Sequence, residues 1–189
     1  MGKASKRLLN VGGGMCRDIG PDYADYEHIL LDIDAAVKPD IIWDALDLKA
    51  LNPDQFDLVY SSHNLEHFYD HQVPVVLAGM LHVLKPGGAV HIRVPDIVGA
   101  FRVMIDSGKQ LTDTLYETKY GYKVRTLDVI YGWGWMIEQS GQPFYAHKTG
   151  FSVKTLHAAM GQAGFTGLEI YHSDIELKGI GYKPQKETV

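Results

Sequence analysis

The chain has 189 residues, 46% of them hydrophobic, which suits one domain that buries roughly 70% of its unfolded surface. A net charge of -5 and a pI of about 5.9 exclude the basic face of a general nucleic-acid binder. No apolar run approaches the ~20 residues of a membrane span. The first residues lack the apolar stretch of a secretory signal, and the single cysteine, Cys16, fits a reducing cytoplasm. The expectation is therefore a cytoplasmic single domain over 1–189, with no membrane or nucleic-acid partner.

Arg7 to Val11 is a short apolar run ending in Gly12-Gly13-Gly14, the pattern of a buried strand entering a tight turn. Such a turn can take positive φ and lets a ligand approach without a Cβ in the way. Near the start of an α/β chain it is a natural nucleotide cradle. Arg17 to Tyr26 reads as a loop, with room for only a short helix because Gly20-Pro21 interrupts it. His28 to Asp34 is a second strand with acids at its C-terminal end. Asp32 lies twenty positions beyond Gly12, the spacing at which an acid meets ribose hydroxyls in nucleotide-binding βαβ units. A plain loop or cap role for Asp32 and Asp34 is the alternative.

Ile41 to Ala45 reads as a third strand and Phe56 to His63 as a fourth. Val73, Val76, Leu77, Met80, Leu81 and Leu84 then recur at helical spacing up to the stop signal Lys85-Pro86-Gly87-Gly88. Ala89 to Val94 is a fifth strand, closed by Pro95. This alternation implies a parallel sheet covered on both faces. From Ile97 to Gly150 it lapses, and aromatic residues gather: Tyr116, Tyr120, Tyr122, Tyr131, Trp133, Trp135, Phe144 and Tyr145. The 97–150 stretch is expected to be an insertion that forms a substrate lid; a satellite core or a dimer face is the alternative. Ser152 then caps a helix through Ala163, ended by Gly164, and two strands close the chain at Gly167 to Tyr171 and Ile175 to Tyr182.

Several motifs stand in a telling order: Leu9 to Gly14, Leu31-Asp32-Ile33-Asp34, Trp43-Asp44-Ala45, Phe56 to His67, Leu81 to Gly88, and His147 to Ser152 followed by Ala163-Gly164-Phe165. Together they resemble the class I S-adenosylmethionine-dependent methyltransferases, and within them the small methyltransferase type 11 group. The resemblance implies a doubly wound, Rossmann-like α/β sheet ordered 3-2-1-4-5-7-6 with the seventh strand antiparallel. It implies S-adenosylmethionine as cofactor and S-adenosylhomocysteine as product. Gly12, Gly13 and Gly14 would lie under the methionyl part, and Asn10 would help hold its ammonium. Asp32 would take the ribose and Asp44 the adenine amino group, with Ile33 and Ala45 beside the base. Ser61 and His63 would stand at the tip of strand four. Asn10 replaces the group's usual acid and Cys16 a later glycine, so weaker cofactor binding is expected.

Methyl transfer from a sulfonium is an in-line displacement, in which alignment and exclusion of water can be worth ~7–11 kcal/mol. His63, Asp96 and His147 are the candidate proton acceptors, with His63 favoured because strand four fixes its place. Asp32 is expected to be exposed at its strand end. Ser61-Ser62-His63-Asn64 is not the Asp/Asn-Pro-Pro-Tyr step of nucleic-acid amino-methyltransferases, so a small-molecule or saccharide-like acceptor is expected. His63-Asn64-Leu65-Glu66-His67 also spells the H-x-x-E-H of a zinc hydrolase. The strand-four motif accounts for the same residues, and no metal ligand is assigned. A nicotinamide dinucleotide site is disfavoured because Arg17 stands where its fingerprint wants glycine. A nucleotide-sugar transferase using Asp32 and Asp34 on a metal leaves the glycine turn unexplained. A non-catalytic binder of the same cofactor remains the alternative from another class.

Overall fold

The computed structural model describes residues 5–118, 121–173 and 175–186; Tyr120 lies outside them. Strand β1 (Lys6–Val11) pairs in parallel with β2 (Tyr26–Asp32) and with β4 (Phe56–Ser62). Outside β2 lies the two-residue β3 (Ile41–Ile42). Beyond β4 comes β5 (Leu84–Pro95), also parallel. A short hairpin, β6 (Thr114–Glu117) and β7 (Lys123–Arg125), stands apart from the sheet. The last strands are β8 (Thr166–Ser173) and β9 (Glu176–Tyr182), and β9 inserts antiparallel between β5 and β8. The seven-stranded order is β3-β2-β1-β4-β5-β9-β8, which is the expected 3-2-1-4-5-7-6 once the hairpin is set aside.

Alternating residues give the sheet its main core. Leu9 and Val11 of β1, Val59 of β4 and Val90, Ile92 and Val94 of β5 have no exposure. Helices α1 (Val73–Val83) and α5 (Val153–Gln162; α2 to α4 lie between them in the chain) pack on this side through Val76, Leu77 and Met80, and through Leu156 and Met160. Ser152 caps α5 as expected: its hydroxyl accepts from the Thr155 N–H, and the Thr155 hydroxyl accepts from the Ser152 N–H. On the opposite side Leu8, Leu58 and Tyr60 form a smaller cluster under Ile19, Tyr23 and Tyr26. The Gly20-Pro21 break leaves only a 3-10 turn, Pro21–Tyr23, to cover it. Here the Tyr23 hydroxyl lies 2.9 Å from His91 Nδ1. Burial pushes the phenol up to about 12 and, with Lys178 nearby, holds His91 down to about 4. The pair is thus a phenol donating to a neutral imidazole.

One expectation is corrected. The third strand ends at Ile42, because the Asp44 carboxylate accepts from the Leu46 N–H and starts a 3-10 helix at Ala45. In the 97–150 stretch the βαβ alternation lapses as expected, and short elements take its place. The stretch holds α2 (Ile97–Asp106), the hairpin, α3 (Thr126–Tyr131), α4 (Gly134–Ser140) and a 3-10 turn at Pro143–Tyr145. These elements are too short to show a clear period. Ala100, Leu115, Val124 and Val129 make a core of their own, with Ile97, Val103, Met104 and Ile175 packed against it. No helix among the described residues is long and apolar enough to cross a membrane.

Candidate active site

A cavity of about 710 Å³ opens at the C-terminal ends of β1, β2 and β4, within the ~300–1,000 Å³ typical of small-molecule sites. Its sheet side begins with the glycine turn. Gly12 has a φ of 69°, and a Cβ built on it would fall 2.2 Å from Asn64 Oδ1. One built on Gly13 would fall 2.2 Å from Asn10 Nδ2, so Gly12 and Gly13 are clamped between two amides that leave no room for side chains, while Gly14, with a φ of 55°, faces open space. Asn10 itself is completely buried, does not line the cavity, and donates to the Cys16 carbonyl at 3.2 Å. It braces the turn from behind.

Asp32 borders the cavity but is only 9% exposed, contrary to expectation. Its Oδ2 accepts from the Gly14 N–H and its Oδ1 from the Asp34 N–H, both at 2.9 Å. These bonds pull the carboxylate inward and tie the glycine turn to the end of β2. Ile33, Trp43, Asp44 and Ala45 continue the same wall. Ser61 is buried, and its hydroxyl accepts from Asn64 Nδ2 at 3.4 Å; Ser62 lines the cavity instead. Successive strand residues face opposite ways, so an error of one position exchanges them.

Asp96 is also corrected. It is buried at the start of α2, where Oδ1 accepts from the Val98 N–H at 3.0 Å and Oδ2 pairs with His172 at 2.8 Å. Capping a helix uses the carboxylate up, and it does not reach the cavity.

His63 and His147 both border the cavity. His63 has a φ of 51°, and its Nε2 lies 2.9 Å from Glu176 Oε1 and its Nδ1 3.5 Å from Glu66 Oε1. Arg93 holds the other Glu176 oxygen, Oε2, from Nε at 3.0 Å. Desolvation opposes charge on His63, but the two carboxylates outweigh it and push the imidazole up to about 9. A charged imidazole has no lone pair with which to take a proton.

Beneath it, Glu66 is 1% exposed, and neither carboxylate oxygen has a hydrogen-bond partner. Burial alone would raise its carboxyl; the His63, His67 and His147 rings hold it below the usual range. The Glu66 carbonyl accepts from the Lys148 and Thr149 N–H groups at 2.8 and 3.2 Å, which brings His147 alongside. His147 Nε2 is 3.9 Å from Glu66 Oε1, and its Nδ1 is 2.9 Å from the Val129 carbonyl oxygen. His67 packs edge-on against the His147 ring, with centroids 4.8 Å apart, and its Nδ1 is 3.1 Å from the Ala146 carbonyl oxygen. Glu66, His67 and Glu176 were not singled out as site residues from the sequence. The first two stood in the H-x-x-E-H string; Glu176 carries no local signal, since β9 delivers it.

The far side of the cavity is aromatic. Trp133, Phe144, Tyr145 and Tyr116 line it. The Tyr145 hydroxyl donates to Asp34 Oδ2 at 3.1 Å, joining the two sides. Trp135 stacks on Trp133 and Tyr122 without lining the cavity, and Tyr131 is 66% exposed.

Known proteins point the same way. The family model described as a methyltransferase domain matches residues 7–92. The fold is similar to a SAM-dependent methyltransferase from Archaeoglobus fulgidus, at 16% identity and a TM-score of 0.62 over 96% of this chain and 87% of that one. A possible exported protein from Bordetella parapertussis is similar at 16% identity and 0.60, over 95% of this chain and 63% of that one. Phosphoethanolamine N-methyltransferase 2 from Haemonchus contortus, in complex with S-adenosylmethionine, is similar at 13% identity and 0.59, over 98% of this chain and 50% of that one. The chain thus spans less than two thirds of the length of the last two. No curated protein matches this sequence.

Over residues 7–92 the chain is thus similar to a methyltransferase domain, and its fold is similar to that of solved S-adenosylmethionine-dependent methyltransferases.

Proposed function

We propose that this chain transfers a methyl group from S-adenosylmethionine to a small, flat or sugar-like acceptor held between the strand ends and the 97–150 segment, which acts as a lid. One observation carries this. A single cavity is lined on one side by Gly12 to Gly14, Asp32 and Asp44, and on the other by Trp133, Phe144 and Tyr145.

The wall fits the cofactor. The side-chain-free turn leaves backbone open to the methionyl part. The Asp32 oxygens each hold one N–H and keep a further lone pair for ribose hydroxyls. Asp44 gives Oδ1 to Leu46 and keeps Oδ2 for an exocyclic amine, between the apolar Ile33 and Ala45. Asn10 serves by holding the turn in shape through Cys16. When bound, the cofactor supplies a methyl group already activated by a sulfonium. What the protein adds is alignment and dryness, with the aromatic wall excluding water. His63 and His147 border the acceptor's space as polar handles. The acidic balance of the chain supports a small molecule over a nucleic acid. The Haemonchus neighbour, solved in complex with phosphomonomethylethanolamine, supports a small-molecule acceptor. The free Cys16 is in keeping with work in the cytoplasm.

Calorimetric titration with S-adenosylhomocysteine, beside donor turnover on phenols, amines and sugars, tests this. Binding with turnover is expected. Binding without turnover on any acceptor leaves a non-catalytic binder, and no binding overturns the proposal.

A further inference from the structure

We infer that Glu66, His67 and His147 form a site for a divalent transition-metal ion, with zinc the best match, in the wall of the same cavity. The three residues each offer a donor atom, and these atoms all lie within 4.8 Å of one another.

The Glu66 carboxylate is the first reason. A buried carboxylate normally collects hydrogen bonds, yet here both oxygens lack a partner. His63 Nδ1, at 3.5 Å, is well beyond the ~2.7–2.9 Å of a charge-assisted bond, and its ring is committed to Glu176 through Nε2. His147 Nε2, at 3.9 Å, is not hydrogen-bonded to it either.

The two imidazoles are the second reason. Each Nδ1 lies against a backbone carbonyl oxygen, which can only accept, so each Nδ1 carries the hydrogen. That leaves both Nε2 atoms with lone pairs. An imidazole whose outer N–H is held by a carbonyl is the usual arrangement of a metal-bound histidine. Two such nitrogens and one carboxylate are the donor set of catalytic zinc sites that keep a position open. With bonds of about 2.0–2.2 Å, tetrahedral donors sit roughly 3.3–3.6 Å apart. Loading therefore draws the three side chains together by about an ångström.

His67 and His147 both border the cavity, so the open position faces it. An acceptor bearing a hydroxyl or carboxylate oxygen would take that position. This consequence rests on the methyl-transfer proposal; the metal site itself does not. The motif H-x-x-E-H suggests a different set, in which His63 would be a ligand. Here His147, eighty residues beyond His67, takes that place, and no local spacing could show it.

The test is to strip the protein with chelator and dialyse it against Zn²⁺ or Co²⁺ alone. Metal content and the visible spectrum of the cobalt form are then measured. Stoichiometric zinc and the intense ligand-field bands of a four- or five-coordinate cobalt site are expected. His147→Ala and Glu66→Gln should weaken binding by at least roughly 10–100-fold, a range reached even by outer partners of metal ligands. His157→Ala, on the exposed side of α5, should not. If the cavity variants do not fold, the wild-type cobalt spectrum decides alone. Substoichiometric metal, the spectrum of aqueous cobalt, or full affinity in a folded His147→Ala would each overturn the site. Such a failure beside normal S-adenosylhomocysteine binding would leave the methyltransferase proposal standing.

Discussion

The β1–β5 half of the molecule and the 97–150 segment face each other across one cavity and are built by opposite means. In the first, long-range pairing of parallel strands and one continuous cluster leave Leu9, Val59, Leu77, Met80 and Ile92 without exposure. In the second, helices of six to ten residues and a hairpin enclose four buried apolar side chains among the described residues, while Tyr122, Tyr131 and Trp135 stay at the surface. A frame that must hold Gly12, Asp32 and Asp44 in fixed relation needs the larger core. In the proposed lid role, a cover that lets an acceptor in and out needs a smaller one, and segments with few buried contacts open first.

The largest effect that can break this contrast is Leu77→Ala. Emptying a completely buried leucine in the main cluster should cost about 2–5 kcal/mol and unfold the whole molecule at lower denaturant. A loss under 1 kcal/mol, measured by urea titration, would mean that the main core is not the frame.

Asp32→Ala comes next, because this carboxylate joins the turn to β2. Losing a hydrogen bond to a charged group costs about 1.5–3 kcal/mol, so S-adenosylhomocysteine should bind roughly 10–100-fold more weakly. The Gly14 and Asp34 N–H groups also lose their partner, which should cost stability about 1–3 kcal/mol. Calorimetry reads the first effect and denaturation the second; unchanged affinity would remove the ribose assignment.

Val129→Ala should cost about 1.5 kcal/mol by loss of two buried methyl groups. Its mark should be faster hydrogen exchange confined to 97–150. Faster exchange spread equally over β1 and β4 would merge the two regions into one cooperative unit.

The gentlest effect is a pH dependence beneath the opposite side of the sheet. His91 is held at about 4 when folded, against 6.5 when free, so the unfolded chain binds the proton first. Its contribution to stability is complete above about pH 6.5 and is lost as the pH falls towards 4. Denaturation midpoints should therefore drop between pH 7 and pH 5, and His91→Gln should make that drop shallower. An unaltered slope would mean that the Tyr23–His91 pair does not contribute.

How much of this could be seen in the sequence divides along the same line. The strands themselves followed from apolar runs, because each strand of the frame is signalled by its own residues; their order came only as an implication of the family resemblance. Asp32, Asp44 and the glycine turn, which border the cavity, were signalled for the same reason. What escaped depends on direction or distance. Ser61 and Ser62 differ only in which side of β4 they face. Asp96 was drawn off by the N-terminus of α2, and Asn10 braces from behind what it was expected to touch. The bond from Tyr145 to Asp34 spans 111 positions, and Glu66 meets His147 only because the Lys148 and Thr149 N–H groups fold back onto its carbonyl. No window of neighbouring residues contains either contact.

The central claim is that frame and cover close on one ligand. Amide hydrogen exchange with and without S-adenosylhomocysteine tests it most directly. Slowed exchange is predicted in two places at once: at 12–14, 32–34 and 44–46 on the frame, and between 131 and 147 on the cover. Protection of the frame alone, with 131–147 exchanging as before, would contradict it.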